Sequence, residues 1–348
     1  MDRKALRALI ERGEPVMELD LSGLSLPGMD LSGGIFEKVR FRGVDLTGAD
    51  MRESTFMGCD FSGARMSGVQ LQHSLVHAGD LSGAVLTKAS FVGAQVTQSQ
   101  LVSANLRGAQ MLQAALMRVD LSGAVLAEVD LERGAVLESK TAGLDLTGAR
   151  LKQTTLHKAD LRQAKVSGAK FELTVLVESQ LAGMDLRGLD FTLTQLTGSD
   201  LTGCDLREAN LTQCNFKGAL LEGAKLDGSK ATNALFIEAK LKRASLRGAQ
   251  LFQALFPGAD LTQADCAGAK MQQCILTRTV CQGARFQDAD LTYADFAYAD
   301  VSAANFTGAT VTRAKFHQTK EQGTIGKGRG AWGDDPELAA AERWRPKY

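Results

Sequence analysis

The residue types that most often carry chemistry are few in this chain, and their spacing does not assemble a reactive group. The four histidines, His73, His77, His157 and His317, form no set with cysteine or carboxylate residues of the kind that binds zinc. The glycine-rich run 326–330 is too short for a P-loop and lacks its pattern. We therefore predict no catalytic residue, no metal site, no cofactor and no small-molecule substrate, and we expect that the chain is not an enzyme.

The large apolar residues of the chain follow a five-residue repeat. From Leu21 to Phe316, 60 positions lie in one phase, and 56 of them are Leu, Phe, Met or Val. The exceptions are Thr141, Ala231, Cys266 and Cys281. Two residues before these positions, 49 of 60 places hold a small residue, and a mostly polar residue lies between. A period of five fits neither an amphipathic helix nor a half-buried strand. It predicts a chain that turns a corner every five residues and points one large side chain inward from each side.

All six cysteines fall in these two inward registers. They are Cys59, Cys204, Cys214, Cys266, Cys274 and Cys281. We interpret them as small buried residues rather than as disulfide partners or metal ligands. Free thiols are compatible with a reducing, cytoplasmic compartment.

The repeat resembles the pentapeptide-repeat family, whose motif is A(D/N)LXX. Segments 159–163, Ala-Asp-Leu-Arg-Gln, and 209–213, Ala-Asn-Leu-Thr-Gln, carry the resemblance. It implies an all-β solenoid, a right-handed quadrilateral parallel β-helix with four pentapeptides per coil and short helical caps at the N- and C-terminus. At four per coil, 60 repeats predict about 15 coils. The sequence has an independent sign of a 20-residue coil, because seven of the 14 inward phenylalanines share one of four columns.

We expect three segments along the chain. Residues 1–18 form an N-terminal helical cap, residues 19–316 the pentapeptide-repeat β-helix, and residues 317–348 a C-terminal loop and short helix. Asp335 and Pro336 suit the N-cap and N1 positions of the last helix. Trp332 and Trp344 lie in this tail. Either the tail caps the solenoid by packing an indole on the last coil, or it docks a partner.

Charge and hydropathy patterning point to a protein partner. Forty basic and 40 acidic residues give a net charge of zero, so no global field attracts nucleic acid or an acidic membrane surface. The sequence shows neither a signal peptide nor an apolar run long enough to span a membrane. On the side with the phenylalanine column, outward positions hold 11 large apolar residues in 30 places, against 8 in 90 on the other three sides. We call the densest part the apolar strip; it comprises Leu235, Ile237, Leu255, Pro257 and Ile275. Such a strip indicates a protein contact face, or else only the β-propensity of a regular sheet.

Two classes of function remain. The first is a non-catalytic scaffold or adaptor that binds another protein or a second copy of itself. The lead-in at 19–24, Leu-Asp-Leu-Ser-Gly-Leu, resembles the start of the pentapeptide region in accessory proteins of bacterial type VI secretion, which implies an accessory or loading factor. The alternative comes from family members that mimic DNA and bind DNA gyrase. A duplex mimic needs about one negative charge per 1.7 Å of length. Here, arginines and lysines interrupt the aspartate-rich column, so we favour the scaffold.

Overall fold

The fold is generated by a chain that hydrogen-bonds to itself every 20 residues. The computed structural model describes residues 3–327, 333 and 335–344. They form two compact units, residues 1–180 and 181–348. Each unit is a parallel β-solenoid. A short helix opens the first unit, and another closes the second.

In the first unit, one side of every coil contributes a strand to a single parallel sheet. Its eight strands lie in sequence order. They are β1 (Val16–Met17), β2 (Ile35–Glu37), β3 (Thr55–Met57), β4 (Leu75–His77), β5 (Gln95–Thr97), β6 (Ala115–Met117), β7 (Ala135–Leu137) and β8 (Thr155–His157). Ladders of single bridges begin on the other three sides at Asp20–Arg40, Ser25–Asp45 and Asp30–Asp50. All join residues 20 apart, which confirms a four-sided coil of 20 residues.

In the second unit the same ladders consist of isolated bridges. One of them runs from Asp185 to Ile325 in steps of 20 residues and so passes the last large register position, Phe316. The regular sheet therefore has about seven turns, joined by seven strand pairings, and not the roughly 15 coils that we predict. The difference arises because each five-residue side spends most of its length on a corner, which leaves one to three residues to pair.

Most corners are β-turns that start at a large inward residue. The N–H of Ala104 donates to the carbonyl of Leu101 at 3.0 Å, and Ser103 between them has a φ of 55°. A positive φ at the third residue is the geometry of a type II turn. Glycine adopts it without strain, as at Gly108 (φ 66°), but Leu193 adopts it too, with a φ of 60°. The stacked coils thus hold some residues in a conformation that they would not choose alone.

The core is the inward register itself. The large side chains from Leu21 to Phe316 are almost completely buried, and phenylalanines one coil apart stack. Ring centroids lie 4.9 Å apart for Phe36 and Phe56, 4.9 Å for Phe216 and Phe236, and 4.8 Å for Phe236 and Phe256, with interplanar angles of 8° or less. The aromatic column therefore forms as the sequence indicates.

The first helix covers the start of the solenoid. Helix α1 (Arg3–Glu11) buries Leu6 and Ile10. Arg3 donates to the carbonyl of Pro27 at 2.7 Å, and the Arg7 guanidinium lies 3.0 Å from the Asp30 carboxylate. These contacts attach α1 to the first coils, as expected of a cap that protects an otherwise unpaired strand edge.

One inward hydroxyl gives a first testable prediction. Ser229 is fully buried, and its Oγ has no hydrogen-bond partner. A buried, unsatisfied polar group costs about 1–3 kcal/mol. Ser229→Ala, which restores the alanine common in this register, should therefore raise the free energy of unfolding by about 1 kcal/mol. Urea unfolding followed by circular dichroism measures it.

The matched control is Ser99→Ala. The Ser99 hydroxyl accepts from the N–H of Gly79 at 3.0 Å and donates to the carbonyl of Thr97 at 2.8 Å. Its loss leaves the Gly79 N–H without this acceptor, so this variant should be less stable than the parent. Equal shifts for the two variants would contradict the assignment.

Candidate protein-docking face

The apolar strip is assembled by the 20-residue period. Leu235 pairs with Leu255, and Leu255 with Ile275, so that these residues occupy one position on three successive coils at about 4.8 Å per coil. Their side chains point away from the core. Leu235 and Leu255 are half-buried, and Ile275 is 38% exposed. The structure thus brings the predicted residues together on the surface.

A shallow groove runs beside this column. One wall is formed by Leu235, Leu255 and Ile275, and the other by the amides of Asn233, Gln253 and Gln273. The groove exists because the inward residue between the two walls is small on each coil: Ala234, Ala254 and Cys274. Gln253 Nε2 donates to Gln273 Oε1 at 2.8 Å, so the amide wall is itself ordered. Sequence reasoning missed this wall, although its spacing of 20 residues is visible in the sequence.

The other two strip residues lie on the opposite side of the inward phenylalanines. Ile237 and Pro257 are both half-buried. They stand one coil apart in the same column as Thr277, Ala297 and His317. Ile237 and Pro257 are apolar and uncovered. Ala297 and His317 are buried, at 6% and 2% exposure.

The chain's own C-terminal helix accounts for that burial. Helix α2 (Pro336–Arg343) begins at Asp335, whose side chain accepts from the N–H groups of Glu337 and Leu338, as we predict for an N-cap. Ala339 is its buried residue. A cavity between helix and solenoid is lined by Ala297 and His317 on one side and by Pro336 and Leu338 on the other. Helix α2 therefore lies on the face that carries the apolar strip.

Four polar side chains hold α2 in place. Glu342 accepts from the Tyr298 hydroxyl and from Gln318 Nε2, the latter at 2.6 Å, and lies 3.2 Å from His317 Nε2. The N–H of Asp335 donates to His317 Nδ1 at 3.1 Å. Because Nδ1 is an acceptor, a neutral His317 carries its proton on Nε2 and donates to Glu342. Sequence reasoning singled out none of these four side chains as a contact of the last helix.

The position of Trp344 bears on whether the tail packs an indole on the last coil. Trp344 is 72% exposed, so its indole does not pack on the last coil, and the choice between a cap and a docking tail stays a prediction. The buried Ala339 and the contacts of Glu342 attach the helix to the solenoid. Trp332 lies outside the described residues.

The aspartates that precede the large residues stabilise the corners. In many repeats the carboxylate accepts from the N–H two residues later, as Asp60 does from Ser62 at 2.8 Å and Asp205 from Arg207 at 3.3 Å. Hydrogen bonds to the ionised carboxylate lower its pKa. Bonds from Ser22 and Arg187 lower the pKa of Asp20 and Asp185, respectively, to about 2. The Asp position of the repeat is thus explained by turn geometry.

Opposite charges also accompany the aspartate column of the first unit. Asp20 lies 3.0 Å from Arg40, Asp120 lies 3.0 Å from Lys140, and Asp160 lies 2.7 Å from Arg162. These exposed pairs add little stability, because solvent screens them. Their main consequence is electrostatic, because the basic partners offset the negative field that these aspartates would otherwise produce.

The histidines do not converge on a metal site. His73 and His77 are four residues apart, a spacing that would place them on one face of a helix, but His73 occupies a corner and His77 ends strand β4. His77 Nδ1 lies 2.9 Å from Thr97 Oγ1. Within the described ranges, no three His, Cys, Asp or Glu side chains are grouped as metal ligands. Those ranges also contain no helix with the length and apolarity needed to cross a membrane.

The six cysteines are all buried and unpaired with one another. Burial raises the pKa of Cys59 and Cys204 to about 11, and that of Cys274 and Cys281 to about 12. The Cys204 thiol donates to the carbonyl of Leu181 at 2.9 Å. These are the surroundings of inert structural thiols.

Thiol labelling follows as a second prediction. With an excess of an aromatic disulfide reagent at pH 8, the folded protein should release almost no thiolate product, because reagent access and thiolate formation are both suppressed. The same protein in guanidinium chloride should react at all six cysteines. Rapid native labelling of Cys204 or Cys214 would show that the inward register is misplaced.

Comparison with known proteins agrees with the coil geometry. The family described as "Pentapeptide repeats" matches in eight copies, over residues 25–63, 64–101, 99–133, 142–172, 174–213, 214–251, 239–278 and 284–320. The chain belongs to the pentapeptide-repeat family. The eight matches cover most of the length over which the large-residue register runs. No curated protein matches the chain.

Solved structures of pentapeptide-repeat proteins are similar to this chain at low identity. HetL from the cyanobacterium Nostoc sp. strain PCC 7120, involved in heterocyst differentiation regulation, is 24% identical; the match covers 76% of this chain and 96% of HetL, with a TM-score of 0.26. A trypsin-treated QnrB1, a plasmid-mediated fluoroquinolone resistance protein, is 25% identical over 52% of this chain and 91% of its own, with a TM-score of 0.36. A pentapeptide-repeat protein of the Arabidopsis thaliana thylakoid lumen is 23% identical, over 32% and 70%, with a TM-score of 0.20.

Proposed function

We propose that this chain is a non-catalytic, cytoplasmic protein-binding scaffold that contacts its partner through the apolar strip. The observation that carries the proposal is the outward-facing column of the half-buried Leu235 and Leu255 and the exposed Ile275, with its adjoining groove. Contiguous apolar surface that faces solvent usually marks an interaction site. A core filled by its own side chains favours surface recognition over catalysis.

The strip sets a limit on affinity. Burying a few hundred Å² of apolar surface gives several kcal/mol at about 25 cal/mol per Å². The loss of translational and rotational freedom offsets much of this gain. The strip alone therefore supports weak binding, and further surface on the same face, including the exposed Trp344, is proposed to add to it.

We place the scaffold among accessory or loading factors of type VI secretion. The support is the lead-in at 19–24 together with the short charged helix α1 before it. The alternative, a DNA mimic that binds gyrase, has less support. Its aspartates are committed to corner hydrogen bonds, and several pair with arginine or lysine.

The test is the double variant Leu235→Lys/Leu255→Lys. Because both side chains point outward, the variant should melt like the parent but lose at least tenfold in affinity for the partner captured from the source cells. Circular dichroism and quantitative co-purification measure the two effects. On the secretion assignment, the captured protein should be encoded in a type VI secretion cluster.

A matched control is Leu220→Lys/Val280→Lys, which adds the same charge at exposed apolar residues of another face. It should keep full binding. If the strip variant folds and every interaction survives, the strip is an ordinary sheet surface and the proposal fails.

A further inference from the structure

We propose that the occupant of the groove beside Leu235, Leu255 and Ile275 is an amphipathic α-helix of a partner protein. This inference rests on the proposed function and deepens it, because it specifies the shape and side-chain pattern of the partner. It follows from three features of this face, which are its existing occupant, its spacing and the charges along its edges.

The face already binds a helix. Helix α2 buries Ala297 and His317, which continue the column of Ile237 and Pro257 by two and three coils beyond Pro257. The contact between α2 and this face is therefore an interface between a helix and the solenoid surface within the second unit. The uncovered groove lies on the adjoining coils of the same unit, with the same backbone geometry.

The spacing of the groove fits helical side chains. Its three coils are about 4.8 Å apart, so the apolar wall spans about 9.6 Å. Residues i, i+3 or i+4, and i+7 of an α-helix lie about 0, 4.5–6 and 10.5 Å along the helix axis, at a rise of 1.5 Å per residue. An aliphatic stripe with this spacing enters the groove with its side chains alternating with Leu235, Leu255 and Ile275. An extended strand, at about 3.3 Å per residue with alternate side chains about 6.6 Å apart, falls out of step within the same length.

The side chains along the two edges of this face predict which residues flank the apolar stripe of the partner helix. Asn233, Gln253 and Gln273 form one edge and suit amide or hydroxyl side chains. On the other edge, Glu238 and Arg278 stand two coils apart and are exposed. The Arg278 guanidinium lies 5.6 Å from the ring centroid of Tyr298, the residue that donates to Glu342 of α2. The partner helix should therefore place an acidic residue at the end next to α2 and a basic residue at the far end.

Two display libraries provide the test. One carries a three-helix-bundle domain randomised on one exposed helix face, and the other a β-hairpin domain randomised on one exposed strand. Both are selected on the full-length protein and counter-selected on Leu235→Lys/Leu255→Lys. Strip-dependent clones should come from the helical library, with aliphatic residues at i, i+3 or i+4, and i+7. They should lose about tenfold or more in affinity on Leu235→Lys/Leu255→Lys and keep it on Leu220→Lys/Val280→Lys. Clones with an acidic residue at one end should weaken on Arg278→Gln.

The helical inference is overturned if strip-dependent clones arise only from the hairpin library, or if neither library yields any. It is also overturned if sedimentation shows a dimer of the parent that Leu235→Lys/Leu255→Lys dissociates, since a second copy then fills the groove. Each of these results leaves the scaffold proposal to its own co-purification test. Conversely, if the native partner co-purifies with Leu235→Lys/Leu255→Lys as well as with the parent, the proposed function is wrong even if helical clones are selected.

Discussion

Replacing Phe236 by alanine should lower the free energy of unfolding by about 3–5 kcal/mol, the range for removing a buried phenylalanine. Phe236 is fully buried and stacks between Phe216 and Phe256, at 4.9 and 4.8 Å. Its loss removes both stacking partners' contacts and leaves a cavity that the hydrogen-bonded coils cannot close. Because each coil is stabilised by its neighbours, the damage should spread to adjacent coils. Urea unfolding, with hydrogen exchange to locate the weakened coils, measures the effect.

The matched control is the next residue along the chain. Ile237 points outward and is half-buried, so Ile237→Ala should cost no more than about 1 kcal/mol. The pair compares neighbouring positions on one coil and separates an inward from an outward residue. Similar losses for the two variants would show that residue 236 does not face the core.

Acid should destabilise the protein strongly below pH 4. Many corner aspartates have a pKa below the ordinary value of 3.8, because they accept hydrogen bonds from the residue two positions on; for Asp185 the pKa is about 2. A carboxyl whose pKa is lower in the folded than in the unfolded state adds stability that is present above the unfolded pKa. That stability is lost as the pH falls through the folded pKa. The window here is about pH 4 to 2, and the urea midpoint should fall steadily across it. Each aspartate contributes little, because it is largely exposed and screened by solvent, and the repeat adds these small contributions.

Asp205→Asn gives the matched test. Arg207 and its N–H both bond to the Asp205 carboxylate, and the side-chain bond is the main cause of its low pKa. Asparagine keeps an oxygen that accepts from the Arg207 N–H but does not titrate. The variant should therefore show a shallower acid transition than the parent, with little change at pH 7 beyond the weakened Arg207 pair. A urea midpoint that stays constant from pH 5 to 2 in the parent would contradict the corner assignment.

The solenoid could be predicted from the sequence because its information is local and repeated. A large residue at every fifth position, such as Leu161 or Phe236, can be buried on every side only if the chain turns a corner between them. The stacking of phenylalanines 20 residues apart likewise follows from the period. The N-cap at Asp335 is equally local, since the side chain bonds to N–H groups within three residues.

The extent of the regular sheet and the form of the docking face could not be predicted from the sequence, because both depend on tertiary structure. The regular sheet ends at β8 and only isolated bridges follow, although the sequence pattern continues. The position of α2 depends on a hydrogen bond from the Tyr298 hydroxyl to Glu342, 44 residues later in the chain. No periodic signal specifies that contact. Likewise, the amide wall of the groove is ordered by a hydrogen bond between Gln253 and Gln273 on successive coils, a contact that the repeat does not specify. The repeat alone determined which side chains point inward. Which part of the outer surface is covered was decided by a segment that lacks the repeat, because its contacts depend on three-dimensional fit rather than on spacing.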